Sequence, residues 1–388
     1  MTTANPNATS FHAWDPPRRS DPPGMREPLQ RRSLSSEATT TPLTAPHPRT
    51  TSSSAVTRGK VGILLSNLGT PDGTDYRSVR RYLAEFLSDQ RVIELPRLVW
   101  QPILQGVVLL RRPAVKGKDY ARIWNRELDE SPLKTVTRNQ ATKLASWATE
   151  IFGEESVAVD WGMRYGNPSI EDAVARLTSQ GCDRILMFPL YPQYSATTTA
   201  TANDKLFEVL RGMRNQPAVR VVPSYFDEPS YIEALARSVR TTLETLAEEP
   251  EVIVASFHGI PQRNIALGDP YYEQCQHTGE LLRDALNLPP TRFRITYQSR
   301  FGYADWLQPY TDATMRQLAH EGVRRVAVIS PGFAADCIET IDEIGRENAH
   351  YFREAGGEAF TLIPCLNDSD DGMAVLCDRV LEETQGWL

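Results

Sequence analysis

Several features are missing from this 388-residue sequence, and each absence excludes a class of protein. No run of about 18 uncharged apolar residues occurs, so we predict no membrane-spanning helix. The five cysteines are odd in number, widely spaced and without a CxxC pair. This pattern argues against a disulfide framework or a structural zinc site and indicates a reducing compartment. The sequence also lacks GxSxG, the nucleophile motif of α/β-hydrolases.

Basic charge is scarce outside the first 58 residues. Residues 1–58 hold seven Arg, no Lys and four acidic residues, a local charge of +3. The remaining residues carry 35 basic and 45 acidic side chains, a net charge of −10. Because nucleic-acid binding needs a basic stripe, we expect no nucleic-acid partner.

The first 58 residues also lack the apolar residues of a folded domain. They contain nine Pro, many Ser and Thr, and few Ile, Leu or Val. Such a segment cannot bury enough apolar surface to offset its chain entropy, so we expect a disordered tail over 1–58. It has no apolar h-region, which argues against a secretory signal. An organellar targeting signal is the alternative, against which its prolines and acidic residues argue.

From residue 59 onward, short β-branched runs alternate with amphipathic helical stretches. The runs are VGILLSNL (61–68), VAVDW (157–161), RILMFPL (184–190), VRVVPS (219–224), VIVASFH (252–258), RITYQS (294–299), RVAVISP (325–331) and EAFTLIP (358–364). This alternation is typical of βαβ crossovers and of parallel, doubly wound sheets.

The two halves of this region resemble each other in sequence. The matching motifs are LGTP (68–71) with HGIP (258–261), MRYG (163–166) with SRFG (299–302), and PLY (189–191) with PGF (331–333). The first pair is offset by 190 residues and the second by 136, so the first half holds 54 extra residues, near 72–127. We therefore predict an α/β fold of two Rossmann-like lobes with four-stranded parallel sheets, related by internal duplication. The lobes are 59–235, with the insertion, and 236–388, whose C-terminal helix we expect to pack back on the first lobe.

One histidine stands at a strand end. His258 closes an apolar run and precedes Gly259 and Pro261, which force a turn. Since ligands of doubly wound folds bind beyond the carboxyl ends of strands, this imidazole is a candidate proton acceptor or metal ligand. The other three histidines of the region lie in helical segments and are interpreted as surface or packing residues.

An acidic segment, PGFAADCIETIDEIG (331–345), follows the seventh run. Asp336 is a candidate N-cap with Glu339 as its capping-box partner. Glu339 and Glu343 are four residues apart and share a helix face. They form either a solvated acidic face near a helix N-terminus or a row of carboxylates leading from solvent to His258. We expect the imidazole and these carboxylates to come from opposite lobes.

Further candidates lie around the same rim. Arg164 and Arg300 follow equivalent strands, where they either clamp an anionic ligand or pair with the other lobe. Tyr191, Tyr194 and Trp306 offer aromatic surface suited to a flat ligand, with core packing as the alternative.

The segment LPRLVWQPILQGVVLLRRP (95–113) is an apolar, helix-like stretch within the insertion. It is too short and too broken to span a bilayer, and it ends at Arg111 and Arg112. An exposed apolar face beside basic residues suits a membrane surface or the cover of an apolar ligand. An ordinary buried helix is the alternative.

Taken together, these motifs resemble the ferrochelatase family over about residues 60–385. The segments that carry the resemblance are SNLGTP (66–71), LYPQYSATTT (190–199), SFHGIP (256–261), YQSRFG (297–302) with Trp306, and PGFAADCIETIDEI (331–344). The resemblance implies a lyase that inserts Fe²⁺ into protoporphyrin IX to form haem, with release of two protons. Iron is then a substrate, and no cofactor is required.

The resemblance also implies roles for individual residues. His258 and Glu339 correspond to the iron-binding and catalytic pair, and Glu343 and Asp336 to an acidic path for protons or metal. The positions that match porphyrin contacts are Leu68, Arg111, Arg112, Tyr120, Arg164, Tyr191 and Trp306. Segment 95–113 matches the active-site lip, which faces the bilayer in membrane-associated members. We therefore expect a cytoplasmic enzyme, peripheral to the inner membrane.

The sequence departs from the family pattern in places. Cys337 stands where animal and fungal relatives carry His. Some members bind a [2Fe-2S] cluster through four thiolates, but Cys365 and Cys377 are too sparse for this, so we expect no cluster. The rival interpretations are a cobalt chelatase for a corrinoid precursor, which would lack the long insertion, and a two-lobed solute- or haem-binding protein, which would be exported. The oligomeric state stays open, as does coproporphyrin III in place of protoporphyrin IX, although the motifs favour the latter.

Overall fold

Eight strands form in this computed structural model, which describes residues 59–300, 302 and 304–388. The predicted tail, 1–58, lies outside the described residues. Every predicted strand is present. The strands are β1 (Lys60–Thr70), β2 (Val157–Gly166), β3 (Cys182–Pro189), β4 (Ala218–Val221), β5 (Val252–His258), β6 (Phe293–Gln298), β7 (Arg325–Ile329) and β8 (Ala359–Leu362).

The strands make two parallel sheets with the same connectivity. The first sheet has the order β2-β1-β3-β4, and the second has the order β6-β5-β7-β8. The second order is the first with four added to every strand number. Two all-parallel four-stranded sheets with one strand order confirm the predicted fold of two Rossmann-like lobes, and the shared order agrees with the internal duplication.

Helices connect the strands and cover the sheets. They are α1 (Tyr76–Ser88), α2 (Arg97–Ile103), α3 (Leu109–Ile123), α4 (Pro132–Phe152), α5 (Ile170–Ser179), α6 (Thr201–Gly212), α7 (Pro229–Glu244), α8 (Gln262–Ala266), α9 (Tyr271–Ala285), α10 (Thr311–His320), α11 (Ala349–Glu354) and α12 (Asp370–Glu383). A short 3₁₀ helix spans Pro290–Arg292. Local sequence sets several of these starts; Ser169, for example, forms a capping box with Asp172 at the start of α5.

Three segments of the described chain adopt the wider π-helical form. They are Leu104–Val108, Ala196–Ala200 and Glu339–Asn348. The last, which we call the acidic π-helix, continues directly into α11. The sequence pattern predicted a helix that carries Glu339 and Glu343; a helix is confirmed there, but its form is π-helical. π-helical turns are rare and occur often at functional sites, which directs attention to this segment.

The two sheets share one apolar core. Ile63 and Phe188 of the first sheet belong to the same buried cluster as Ile253, Phe257 and Ile329 of the second. Alternate strand residues face the other way, against α5 and α6 in the first lobe and α10 and α11 in the second. Because the lobes pack through their inner faces, they form a single compact unit, and the predicted boundary at 235/236 falls inside α7.

The C-terminal segment contacts the first lobe through two arginines. Arg184 on β3 donates to the carbonyl of Trp387, and Arg220 on β4 donates to the carbonyls of Glu383 and Gln385. The guanidinium of Arg220 also stacks 4.3 Å from the centroid of the Trp387 ring. These contacts hold the end of α12 against the edge of the first sheet.

Candidate active site

His258 lies at the carboxyl end of β5 and is half-buried. Its Nδ1 is 2.7 Å from the carbonyl oxygen of Gly259. Because a carbonyl only accepts, Nδ1 carries the hydrogen, and the lone pair of Nε2 is left for a proton or a metal ion. A Cβ on Gly259 would come within 2.8 Å of the Gln298 carbonyl and 3.3 Å of Trp306, so only glycine fits behind the imidazole.

The carboxylates come from the same lobe as His258, not from the opposite one. The acidic π-helix, which carries Glu339 and Glu343, follows β7, and β7 pairs directly with β5 in the second sheet. The expectation of opposite lobes is therefore wrong. The physical reason is topological, because the carboxyl ends of two neighbouring parallel strands open onto the same edge of a sheet.

Glu343 lies close enough to His258 and Glu339 for their charges to act on it. Burial raises the pKa of the Glu343 carboxyl above its ordinary value, and the negative charge of Glu339 adds to this effect. A hydrogen bond from Ser299 Oγ, 2.6 Å from Glu343 Oε2, and the positive fields of His258 and Lys116 oppose it. A carboxyl with a raised pKa accepts and returns a proton more readily near neutral pH.

Asp336 belongs to a different cluster. Its carboxylate accepts hydrogen bonds from Thr340 Oγ1 at 2.9 Å, from Asn367 Nδ2 at 2.7 Å and from the backbone of Cys365 at 3.4 Å. The predicted capping box between Asp336 and Glu339 is wrong, since the backbone N–H of Asp336 donates to Asn367 Oδ1 at 2.8 Å. Thr340 and the loop after β8 thus occupy the acceptor capacity of the Asp336 carboxylate.

Two tyrosines of the first lobe lie close enough to Glu339 for its charge to act on them. Tyr82 on α1 and Tyr120 on α3 are buried, and their rings meet edge to face with centroids 6.4 Å apart. Burial raises the pKa of Tyr120 well above its ordinary value, and the negative charge of Glu339 raises it further. Burial and the same charge raise the pKa of Tyr82. Both phenols therefore stay neutral at physiological pH.

Three predicted porphyrin contacts lie at strand ends or against them. Leu68 packs with Tyr165 and the apolar residues of α1 and the insertion. The Tyr191 hydroxyl is buried and has no hydrogen-bond partner in the described part of the chain, and burial raises its pKa. Trp306 pairs with Pro261 and packs against Gly259, beside His258. An unsatisfied buried hydroxyl and an aromatic face suit a flat ligand that brings its own polar groups.

The predicted arginine contacts fall into two groups. Arg164 is already engaged, since it bonds Asp89 and donates from Nε to Thr201 Oγ1 at 2.7 Å. Arg111 is exposed and Arg112 half-buried at the end of the apolar insertion, and burial lowers the pKa of Arg112.

The apolar segment 95–113 consists of α2, the π-helix Leu104–Val108 and the start of α3. Leu98 is 92% exposed, and Val107 and Leu110 are each 60% exposed. The alternative of an ordinary buried helix is therefore wrong for this face. None of the helices formed by residues 59–300 and 304–388 combines the length and apolarity needed to cross a bilayer.

Sequence reasoning missed the contact that holds the insertion to the second lobe. Asp342 of the acidic π-helix accepts two hydrogen bonds from Arg122 of α3, at 2.9 and 3.0 Å, and two more from Arg346. Burial alone would raise the pKa of Asp342, but these arginines outweigh it and hold the pKa well below its ordinary value. No local motif links Arg122 with Asp342, which are 220 residues apart.

Within the described ranges, no group of three or more His, Cys, Asp and Glu side chains is arranged to hold a metal ion. Cys337 and Cys365 are buried and free, and burial raises the pKa of both thiols. The imidazole of His258 and the carboxylates of Glu339 and Glu343 are nevertheless mixed nitrogen and oxygen donors of the kind that ferrous iron accepts. The fold defines a two-lobed α/β enzyme, with His258 at the end of β5 and the acidic π-helix after the neighbouring strand β7.

Comparison with known proteins identifies the family. Residues 60–384 match the family model of ferrochelatase. The ferrochelatase of Chelativorans sp. (strain BNC1) is 61% identical over 334 residues, which cover 86% of this chain and 94% of that protein. The ferrochelatase of Brucella anthropi is 62% identical over 85% of this chain and 93% of its own length, and that of Rhizobium meliloti (strain 1021) is 59% identical over 86% and 98%.

The chain belongs to the ferrochelatase family. Members of this family are lyases that insert a metal ion into a porphyrin in haem biosynthesis, with iron as the substrate.

Proposed function

We propose that this protein inserts Fe²⁺ into protoporphyrin IX in the cleft beside His258 and Glu339, and releases two protons for each haem formed. The observation that carries this proposal is the placement of one imidazole and two carboxyls at adjoining strand ends, opposite buried tyrosines of the other lobe. Iron acts as a substrate, and the reaction as proposed needs no resident cofactor or iron–sulfur cluster.

The walls of the cleft would hold and bend the macrocycle. Metal insertion is slow when the ring is flat, because the pyrrole nitrogens must turn out of plane before the metal reaches them. Leu68, Tyr191 and Trp306 offer apolar and aromatic surface, and the lip covers the opening. Binding energy from the periphery of the porphyrin can then offset the strain at its centre.

His258 and Glu339 would act at the centre of the ring. The free lone pair of His258 Nε2 suits removal of the pyrrole N–H protons as the metal enters. The Glu339 carboxylate supplies a second donor and a negative charge that favours the cationic intermediate states. An imidazole and a carboxylate form a weak site for ferrous iron, which is suited to transfer because the metal must also leave it.

Glu343 would carry protons between the pair and solvent. Its partner Ser299 lines a cavity of about 180 Å³, together with Glu343 itself, Arg300, Asp312 and Glu347. We propose that protons pass between the acidic π-helix and solvent through this cavity. Asp336, which the family resemblance assigned to the same path, is here given a structural role, because its carboxylate is occupied by Thr340 and Asn367.

Segment 95–113, the lip, would contact both the propionates of the porphyrin and the membrane. Arg111 and Arg112 are the arginines we assign to the propionates, because both cations lie at the end of the exposed apolar face of segment 95–113. Leu98, Val107 and Leu110 present an exposed apolar face beside these cations. A face of this composition favours peripheral binding to an anionic bilayer, so we propose a cytoplasmic enzyme on the inner membrane.

The decisive experiment is an anaerobic insertion assay with Fe²⁺, and in parallel with Zn²⁺, followed through the Soret band. Wild-type protein should convert protoporphyrin IX, with coproporphyrin III as the comparison substrate. His258→Ala should lower turnover by roughly 10²- to 10⁴-fold while porphyrin still binds. His320→Ala, at an exposed helix end, is the matched control and should keep normal turnover. Near-normal turnover of His258→Ala would exclude the proposed role of the imidazole.

A further inference from the structure

Gln298, the last residue of β6, contacts the backbone that carries His258. The two residues are partners in the parallel ladder between β5 and β6. The carbonyl of Gln298 also accepts a 2.8 Å hydrogen bond from the backbone N–H of Gly259, the residue after the imidazole. The main chain of Gln298 therefore sets where β5 ends and where the turn behind His258 begins.

The side chain of the same residue reaches the acidic π-helix. Its Nε2 donates to the carbonyl oxygen of Glu339 at 3.1 Å, in the first turn of that helix. Gln298 thus touches both segments that supply the proposed catalytic pair, one through its backbone and the other through its amide. It contributes no charge and no metal ligand of its own at this point.

A buried hydrogen-bond network fixes the orientation of the Gln298 amide. Ser256 Oγ donates to Gln298 Oε1 at 2.8 Å, and the Ser256 hydroxyl lies 2.8 Å from that of Thr311. Thr311 in turn donates to Thr296 Oγ1 at 2.9 Å. All four residues are buried, and Gln298 is only 3% exposed. Because Gln298 Oε1 is taken by the Ser256 donor, Nε2 is held toward Glu339.

Ser299, the next residue, makes a similar contact with the acidic π-helix one turn further along that helix. Ser299 has a φ of +67°, in the left-handed region, and its hydroxyl donates to Glu343. Consecutive residues at the end of β6 therefore hold Glu339 by its backbone and Glu343 by its carboxylate. The acidic π-helix is joined to β6 at both glutamates.

We infer that Gln298 is a positioning residue for metal insertion, which sets the separation of His258 and Glu339 by joining the end of β5 to the first turn of the acidic π-helix; this role rests on the proposed function of that pair. A side chain at position 298 that fills the same space without an amide donor leaves the Glu339 carbonyl without this partner. The helix start can then shift relative to β5, and a displacement of about 1 Å at a catalytic group costs on the order of 10²-fold in rate.

Gln298→Met tests this role, with Gln276→Met as the matched control. Gln276 donates to the Tyr297 hydroxyl, on the neighbouring residue of the same strand, and lies outside the proposed site. In the Zn²⁺ assay, Gln298→Met should lower kcat roughly 10- to 100-fold. Its dissociation constant for protoporphyrin, measured by quenching of porphyrin fluorescence, should stay within about twofold, and Gln276→Met should keep wild-type kcat. A wild-type kcat for folded Gln298→Met would overturn the assignment.

A double-mutant cycle separates positioning from general destabilisation. If Gln298 acts through Glu339, then adding Gln298→Met to Glu339→Gln should lower the residual single-turnover rate by less than about threefold. If the rate reductions of the two single variants multiply in the double variant, the effect of Gln298 does not depend on Glu339, and the inference fails. Ser256→Ala, which removes the donor to Oε1, replaces Gln298→Met if the latter does not fold, and the same two outcomes apply to it.

The failure of this inference can be told from failure of the proposed function. An inactive His258→Ala protein beside a fully active Gln298→Met protein would remove the positioning role alone. An active His258→Ala protein would remove the catalytic pair itself, whatever Gln298→Met does.

Discussion

The residues around His258 are packed so closely that the backbone beside the imidazole has little space to change. Gly259 is surrounded by the Gln298 carbonyl and the Trp306 ring, so that the imidazole of His258, the end of β6 and the Trp306 ring meet at one glycine. The Gly-Ile-Pro motif after the strand predicted a turn. It did not predict that the space beside the turn is filled by β6.

Gly259→Ala should impair the site more than it impairs folding. The new Cβ would stand 2.8 Å from the Gln298 carbonyl, so the ends of β5 and β6 have to separate. We expect kcat to fall on the order of tenfold or more in the Soret assay, because His258 shifts with its neighbour. Gly212→Ala, where the structure leaves open space, is the control and should not alter kcat. Unchanged turnover in Gly259→Ala would contradict this tight packing.

Asp342 should make stability depend on pH in a defined direction. Its pKa is lowered in the folded protein, so its ion pairs with Arg122 and Arg346 are complete above the unfolded pKa of about 3.9 and are lost as pH falls below it. Asp342→Asn should therefore lower the free energy of unfolding by about 1–3 kcal/mol at pH 7. The difference in the free energy of unfolding between Asp342→Asn and wild type should become smaller below about pH 4.

Denaturant titrations at both pH values check the Asp342 prediction. Asp371→Asn, which removes an exposed pair with Arg237, is the control and should change stability by less than about 1 kcal/mol. A deficit of Asp342→Asn that grew as the pH fell would contradict the assigned direction.

The positions of candidate side chains were predicted best where they depended on the local sequence. His258 after a strand, and Glu339 and Glu343 at one helix face, were found from the sequence pattern. Asp336 was assigned a capping box with Glu339 from the same kind of evidence, but its carboxylate bonds Thr340 and Asn367, the latter 31 residues further on. A carboxylate takes the donors that the fold brings to it, and one of these came from a distant loop.

Among the elements, strands were predicted more completely than helix types. Each β-branched run became a strand, because a short, continuous apolar run bounded by turn signals is typical of a strand buried on both faces. The π-helical form of Glu339–Asn348 had no equivalent signal. Its segment contacts β6 through Gln298 and α3 through Arg122, and neither partner is near it in the sequence.

The lip should bind membranes through its exposed apolar face. Leu98→Gln combined with Leu110→Gln removes two large exposed apolar side chains without altering the cleft. We expect this variant to sediment less with vesicles that contain phosphatidylserine, while turnover in detergent-free solution with a water-soluble porphyrin stays normal. Leu267→Gln and Leu128→Gln, exposed outside the lip, form the control pair. Equal sedimentation of the lip variant and wild type would contradict membrane contact through this segment.

Across the whole molecule, the two lobes depend on each other for their stability. Phe257 of the second sheet is fully buried in the cluster that also contains Phe188 of the first. The lobes were predicted as separate domains from the duplication, and the motifs support that division. Their inner faces nevertheless form one core, so the cleft is a feature of a single folding unit.

Phe257→Ala should destabilise both lobes together. Removal of this side chain should lower the free energy of unfolding by about 3–5 kcal/mol. Far-UV circular dichroism and tryptophan fluorescence should report the same single transition in wild type and variant. Phe207→Ala, at a half-exposed ring of the first lobe, should change stability by less than about 0.5 kcal/mol. Two separated transitions would show that the lobes unfold independently.

The sequence by itself determined which residues form strands, that the two halves share one plan, and that His258 follows a strand. These are properties of local pattern, and periodicity and residue type report them directly. Only the tertiary structure decided that His258 and Glu339 come from one lobe, that Arg164 and Asp336 are already occupied, and that Gln298 joins the segments that carry His258 and Glu339. The reason is that partners such as Arg122 and Asp342 are 220 residues apart, and which distant groups meet depends on how the sheets pack.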